Sequence, residues 1–341
     1  MTDTACILGC ATTTLSPVEQ AFFRDVRPWG FILFKRNIET PGQVRALTDA
    51  LRACVDRADA PILIDQEGGR VQRMGPPHWS RYPPGRAYGD LPGNDPLMRR
   101  EITRLGARLL AHDLAAVGIN VDCVPVLDVP VAGAHDVIGD RAYGATPQTV
   151  ALLGRAAAEG LIAGGVLPVI KHMPGHGRAG VDSHLSLPVV DADYDALDRV
   201  DFEPFRVLSD MPMGMTAHVV YTAVDSRRPA TTSRRAIRQV IRGAIGFDGL
   251  LMTDDMSMKA LSGDFTERAR AAHAAGCDVL LHCNGDMSEM RALVAGSKPL
   301  AGRSARRAQA ALARIARAPE PFDASEARAR FAEAFEGRWA A

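Results

Sequence analysis

The side chains able to do chemistry gather in a few short clusters. Asp65-Gln66-Glu67 is followed by Arg70, Gln72 and Arg73. Asp128 precedes Asp140-Arg141. A third cluster runs Lys171-His172-Met173-Pro174-Gly175-His176-Gly177 and on to Asp182-Ser183-His184. His218, the doublet Asp254-Asp255, and His282 with Asn284 complete the set. Carboxylates can attack or exchange protons, and histidine titrates near neutrality. Together these groups describe a polar pocket, if the fold brings them together. Two other chemistries fit subsets of them. His172, His176, Asp182 and His184 are ligand types that suit zinc in a metal-dependent hydrolase, although their spacing matches no zinc motif. Lys171 could form a Schiff base.

The elements that must position them alternate regularly. Short apolar runs bounded by Gly, Pro or Asp take turns with amphipathic stretches. Eight runs read as strands: ACILGC from Ala5, GFILFKRN from Gly30, APILIDQEGG from Ala60, INVDCVPVLDV from Ile119, VLPVIKHMPGHG from Val166, GMTAHVV from Gly214, GLLMTDD from Gly249 and CDVLLHCNG from Cys277. Most are apolar throughout, the mark of parallel strands covered on both faces. Helical patterns lie between them: Ser16–Arg27, opened by a Ser-Pro cap, Pro41–Val55, Leu97–Val117, Pro147–Ala163, Tyr194–Leu208, Ser233–Ile245, Thr266–Ala275 and Met287–Ala295. Eight βα units predict an α/β fold, a single (β/α)8 TIM-type barrel. Its chemistry should sit at the C-terminal ends of the strands, where every cluster above falls. Two Ala/Arg-rich stretches, Ser304–Ala318 and Ser325–Phe335, predict extra C-terminal helices packed on the outside. The chain, 1–341, is expected to be one catalytic domain, with 301–341 appended. Gly75–Pro96, rich in Pro and Gly, reads as a long loop after the third strand, where a barrel places a binding loop.

Bulk properties narrow the classes. The 341 residues are 47% hydrophobic, ample for a large core. Lys+Arg and Asp+Glu both number 40, so the formal net charge is zero and no polyanion or charged membrane surface is indicated as a partner. The arginines of the C-terminal stretches fit a solvated helix face better than an RNA site. Six scattered cysteines show no metal or redox spacing. The N-terminus lacks a basic, long-apolar leader and no run is long enough to span a membrane, so a reducing cytoplasm is expected.

The stretches DQEGGRVQRM, IGDRAYG, KHMPGHGRAGVDSH and LMTDDMSM resemble those of bacterial cytoplasmic β-N-acetylglucosaminidases of glycoside hydrolase family 3, enzymes of peptidoglycan recycling. The resemblance covers nearly the whole chain. It departs at Met173, where Phe is expected, and at Thr253, where Ser is expected. It implies a retaining β-N-acetylhexosaminidase working through a covalent glycosyl-enzyme. Asp254 would be the nucleophile and His184, paired with Asp182, the general acid/base. Asp65, Arg73, Arg141, Lys171 and His172 would bind the terminal sugar. The implied substrate is N-acetylglucosamine linked β-1,4 to 1,6-anhydro-N-acetylmuramic acid, with or without its peptide. No cofactor and no metal are implied, and the chain is expected to act as a monomer. The chemistry is coherent, since carboxylates, Lys and Arg satisfy vicinal hydroxyls with charge-assisted bonds. Asp182 could stabilise the imidazolium of His184. A catalytically silent sugar-binding barrel is the non-enzyme alternative. Adjacent strand residues point to opposite faces, so only Asp254 of the doublet should face the pocket, with Asp255 structural. His176 is expected to support its loop and His282 to be structural, while His218 either lines the sugar site or packs.

Overall fold

Alternate residues of each strand carry two different cores in this molecule. The computed structural model describes residues 2–93, 95–183 and 186–339. Eight strands close a barrel: β1 Thr4–Gly9, β2 Pro28–Leu33, β3 Ile62–Ile64, β4 Val121–Asp122, β5 Leu167–Met173, β6 Met213–Thr216, β7 Leu250–Asp255 and β8 Val279–His282. Each pairs in parallel with its sequence neighbours, and β8 returns to β1 with Cys6 opposite Leu280. Ala5, Ile7, Leu63, Val169, Met213, Leu250, Met252 and Val279 meet inside the barrel. Cys6, Leu8, Ile62, Ile64, Ile170, Leu251 and Leu280 face the helices. This is why the strands read as continuous apolar runs.

The surrounding helices are α1 Pro17–Val26, α2 Pro41–Val55, α3 Pro96–Ala116 and α4 Pro147–Ala163, then α5 over 194–207, α6 Ala236–Ala244, α7 Phe265–Ala275 and α8 Met287–Gly296. Ser16 caps α1 reciprocally: its Oγ accepts the Glu19 N–H at 3.2 Å, while Glu19 accepts the Ser16 N–H at 2.9 Å. α5 contains a π turn at Leu197–Asp201 and α6 is π-helical, which hydrophobic periodicity does not distinguish from α.

The C-terminal helices do more than decorate the outside. α9 (Gly302–Ala313) closes the N-terminal end of the barrel, with Ala308 and Ala311 buried in the inner core. Small side chains let it approach the strand starts, and Ser304 Oγ donates to Asp278 at 2.6 Å. α10 (Ala324–Ala334) packs on α3 through Phe331, which also meets Tyr82 and Tyr88. Arg328 joins Asp113 of α3 at 2.5 Å.

Candidate active site

Asp65 directly follows β3, and Glu67 lies two residues on in a small hairpin, Gln66–Gly68 paired with Val71–Gln72. Both carboxylates reach Lys171 of β5, whose Nζ sits 3.0 Å from Asp65 Oδ1 and 2.7 Å from Glu67 Oε1. Arg73 donates to Asp65 Oδ2 at 3.1 Å. Arg141, from the turn Gly139–Arg141, grips Glu67 with a two-pronged fork, 2.8 Å on each prong. Three cations thus surround two carboxylates on one wall. Burial alone would raise both carboxyl pKa values, but the cations reverse it. Lys171 and Arg73 hold Asp65 well below the usual range, and Arg141 with Lys171 brings Glu67 down to about 2. Lys171 is itself raised: burial opposes its charge, and Asp65 and Glu67 outweigh burial.

His172 stands beside this wall. Its Nδ1 lies 2.7 Å from Asp128 Oδ2, so Nε2 is the ring edge turned to the cleft. Asp128 Oδ1 also accepts the backbone N–H of His172 at 3.2 Å and of His176 at 2.6 Å. One buried carboxylate therefore orients a ring and shapes the turn after β5. At Gly177 a Cβ would lie 1.9 Å from the Val129 carbonyl oxygen, so the turn admits no side chain there. His176 is buried, and burial followed by the neighbouring His172 lowers its pKa to about 4. Its Nε2 lies 3.3 Å from Ser183 Oγ, a supporting contact within the loop. Ser183 borders the cleft, next to the half-buried Asp182. His184 lies outside the described residues.

Asp254 opens onto the same cleft from β7, 8% exposed. Its Oδ1 accepts the Asp255 N–H at 2.8 Å. Asp255 also borders the cleft, contrary to strict alternation, because the β7–β8 register shifts between Met252 and Asp255. Its carboxylate is nonetheless occupied structurally, accepting the N–H groups of Ser257 at 3.0 Å and Cys283 at 3.2 Å. Thr253 Oγ1 accepts the Leu281 N–H at 2.9 Å, which a serine hydroxyl could equally do. His218 does not line the cleft: its ring nitrogens contact Thr231 Oγ1 at 2.7 Å and the Asp255 carbonyl at 3.0 Å. His282 is buried, with Nε2 3.0 Å from Glu289.

Asp65, Arg73, Arg141, Lys171, His172 and Asp254 therefore converge on one cleft. Glu67 and Phe34 belong to it too; sequence reasoning placed Glu67 among the pocket's polar groups without a role and did not name Phe34. Glu67 had a signal, since a residue two positions from Asp65 in extended chain shares its side. Phe34 had none; it stacks under the Arg73 guanidinium, 4.9 Å from centroid to Cζ. Among the described residues no group of three or more His, Cys, Asp or Glu could hold a metal ion. The metal reading also needs His184, which lies outside them.

A closed parallel barrel with a polar cleft at the C-terminal strand ends is the architecture of a (β/α)8 enzyme. The model of the glycosyl hydrolase family 3 N-terminal domain matches residues 16–318, and the chain belongs to that family. Among its relatives, the β-hexosaminidase of Alkalilimnicola ehrlichii is 41% identical over 282 residues, 82% of this chain and 80% of that protein. The β-hexosaminidase of Methylobacillus flagellatus is 41% identical over 259 residues, 75% of this chain and 73% of that one. The solved structure of NagZ from Neisseria gonorrhoeae with N-trifluoroacetyl-D-glucosamine superposes with a TM-score of 0.86 at 32% identity, covering 98% of both chains. The chain is thus a glycoside hydrolase of β-hexosaminidase type.

Proposed function

We propose that the protein removes terminal β-1,4-linked N-acetylglucosamine from anhydromuropeptides by a retaining, two-step mechanism. One observation carries the reading: Asp254 opens onto a cleft whose opposite wall presents paired carboxylates and cations suited to sugar hydroxyls. The N-trifluoroacetyl-D-glucosamine bound by the Neisseria gonorrhoeae relative supports the choice of sugar. In this reading Asp65, Arg73, Arg141, Lys171 and His172 hold the terminal sugar. Asp65 and Glu67, kept ionised by their cations, accept hydroxyl protons. Asp254 attacks the anomeric carbon as the leaving-group oxygen takes a proton from His184. Water, deprotonated by His184, then releases the sugar with its configuration retained. Asp182 orients and stabilises the imidazolium. No step requires a metal or cofactor. The chain works as one catalytic unit over 1–341, with 301–341 as its appended helices, as a monomer in the cytoplasm.

Asp254→Ala is expected to abolish turnover with the fold intact, because no covalent intermediate can form. A 5-fluoro glycoside should label the peptide holding Asp254, as read by mass spectrometry. A label on another peptide, or an inverted anomer by NMR, refutes the assignment.

A further inference from the structure

His176 is a buried titratable group that the mechanism above does not use. Its pKa, lowered to about 4, leaves the ring neutral with a single N–H near neutral pH. Nδ1 has no hydrogen-bond partner among the described residues, while Nε2 lies 3.3 Å from Ser183 Oγ. The proton therefore belongs on Nε2, where an acceptor meets it. Ser183 Oγ in turn donates its own hydrogen toward Met258 Sδ at 3.9 Å.

Ser183 is the middle residue of Asp182-Ser183-His184. It is buried, whereas Gly180 and Val181 just before it are exposed. The chain is fixed as far as Ala179. Asp128 Oδ1 accepts the His176 N–H at 2.6 Å, and Arg178 Nε donates to Asp201 Oδ2 at 2.6 Å. Ala179 donates to the His176 carbonyl at 3.1 Å and accepts the His135 N–H at 2.9 Å. From there the chain crosses open space at Gly180, and Ser183 brings it back to the His176 ring. Consecutive Cα atoms stand about 3.8 Å apart, so tethering Ser183 restricts Asp182 and His184 together. The two contacts of Ser183 also refer this tripeptide to both halves of the site. His176 shares Asp128 with His172, and Met258 lies on the loop that follows Asp254.

We propose that His176 is a positioning residue for protonation of the leaving group: through Ser183 it holds the Asp182/His184 pair in register with the sugar-binding wall and the nucleophile. The inference rests on the acid/base assignment above and deepens it. His176 exchanges no proton itself; its neutral ring is a strut. Proton transfer depends steeply on placement, and a displacement of about 1 Å can cost up to about 10²-fold.

The test compares wild type, Ser183→Ala, His176→Asn, His176→Gln and His184→Ala on two substrates, a 2,4-dinitrophenyl N-acetyl-β-glucosaminide and the β-1,4 disaccharide of N-acetylglucosamine. On both, kcat/KM reports the first chemical step, and only the disaccharide needs the acid. The ratio of kcat/KM on disaccharide to that on the aryl glycoside should fall roughly tenfold in Ser183→Ala and in His176→Asn. A glutamine amide N–H reaches the place of Nε2, whereas asparagine reaches only that of Nδ1. His176→Gln should therefore stay within about threefold of wild type. The double variant Ser183→Ala/His176→Asn should fall no further than either single one, since both break the same link. A purely structural role lowers both substrates together and leaves the ratio unchanged; that result in Ser183→Ala and His176→Asn overturns the inference, as does a His176→Gln ratio as low as that of His176→Asn. A His184→Ala enzyme slowed equally on both substrates overturns the acid/base reading instead. If His176→Asn fails to fold, Ser183→Ala decides alone.

Discussion

At the residue scale the molecule depends on Lys171. It is 2% exposed and shared by two carboxylates that burial would otherwise neutralise. Removing one partner of such a set leaves uncompensated buried charge, so Lys171→Met should cost about 3–5 kcal/mol of stability by urea unfolding. Glu67 adds a pH signature. Its folded pKa, about 2, lies below the ordinary 4.5. Its stabilisation is therefore complete above about 4.5 and fades as pH falls toward 2. The stability gap between wild type and Glu67→Gln should narrow over that window, and a gap constant with pH contradicts the pairing. For His184, on the proposed mechanism, the leaving group is the probe. His184→Ala should lose roughly 10²–10⁴-fold on a disaccharide, where the departing alkoxide needs a proton. With a dinitrophenyl glycoside the first step should be much less impaired and the second slow, giving a burst that azide partly rescues. Equal slowing of the first step on both substrates would make His184 a binding or folding residue.

At the scale of elements, caps and plugs set the frame. Ser16→Ala removes one side of the α1 capping box and should cost about 1 kcal/mol. α9 was expected on the outside of the barrel, but it seals the barrel's lower mouth. Ala311→Asp would bury a carboxylate against the inner core and should cost several kcal/mol, whereas Ala310→Asp, one position round the helix on an exposed site, should be nearly neutral. A small loss for Ala311→Asp in thermal melts would mean that α9 is not seated there. Strand alternation was a sound guide until β7 ended. There the register shift lets both Asp254 and Asp255 border the cleft, and hydrogen-bond partners, rather than side-chain period, tell them apart.

For the whole molecule, the proposed mechanism predicts full activity after exhaustive EDTA dialysis. Activity lost and restored by zinc would move the function to the metal-hydrolase reading. The sequence by itself determined the element order and the barrel. Each of the eight apolar runs overlaps one strand of the barrel, and the bounds Pro41–Val55 and Pro147–Ala163 coincide with the helices, because a Thr-Pro pair marks each start. These are local signals, carried by neighbours in the chain. The convergence of the clusters on strand ends was legible for the same reason, since a parallel barrel puts all those ends on one face. Tertiary structure alone decided who meets whom. Arg141 grips Glu67 across 74 positions, Lys171 reaches Asp65 across 106, and Arg328 of the last helix pins Ser80 across 248. Phe34 lies under Arg73 with no local pattern to announce it. Such contacts follow from the closure of the barrel and the packing of loops on its rim, and periodicity along the chain does not encode them.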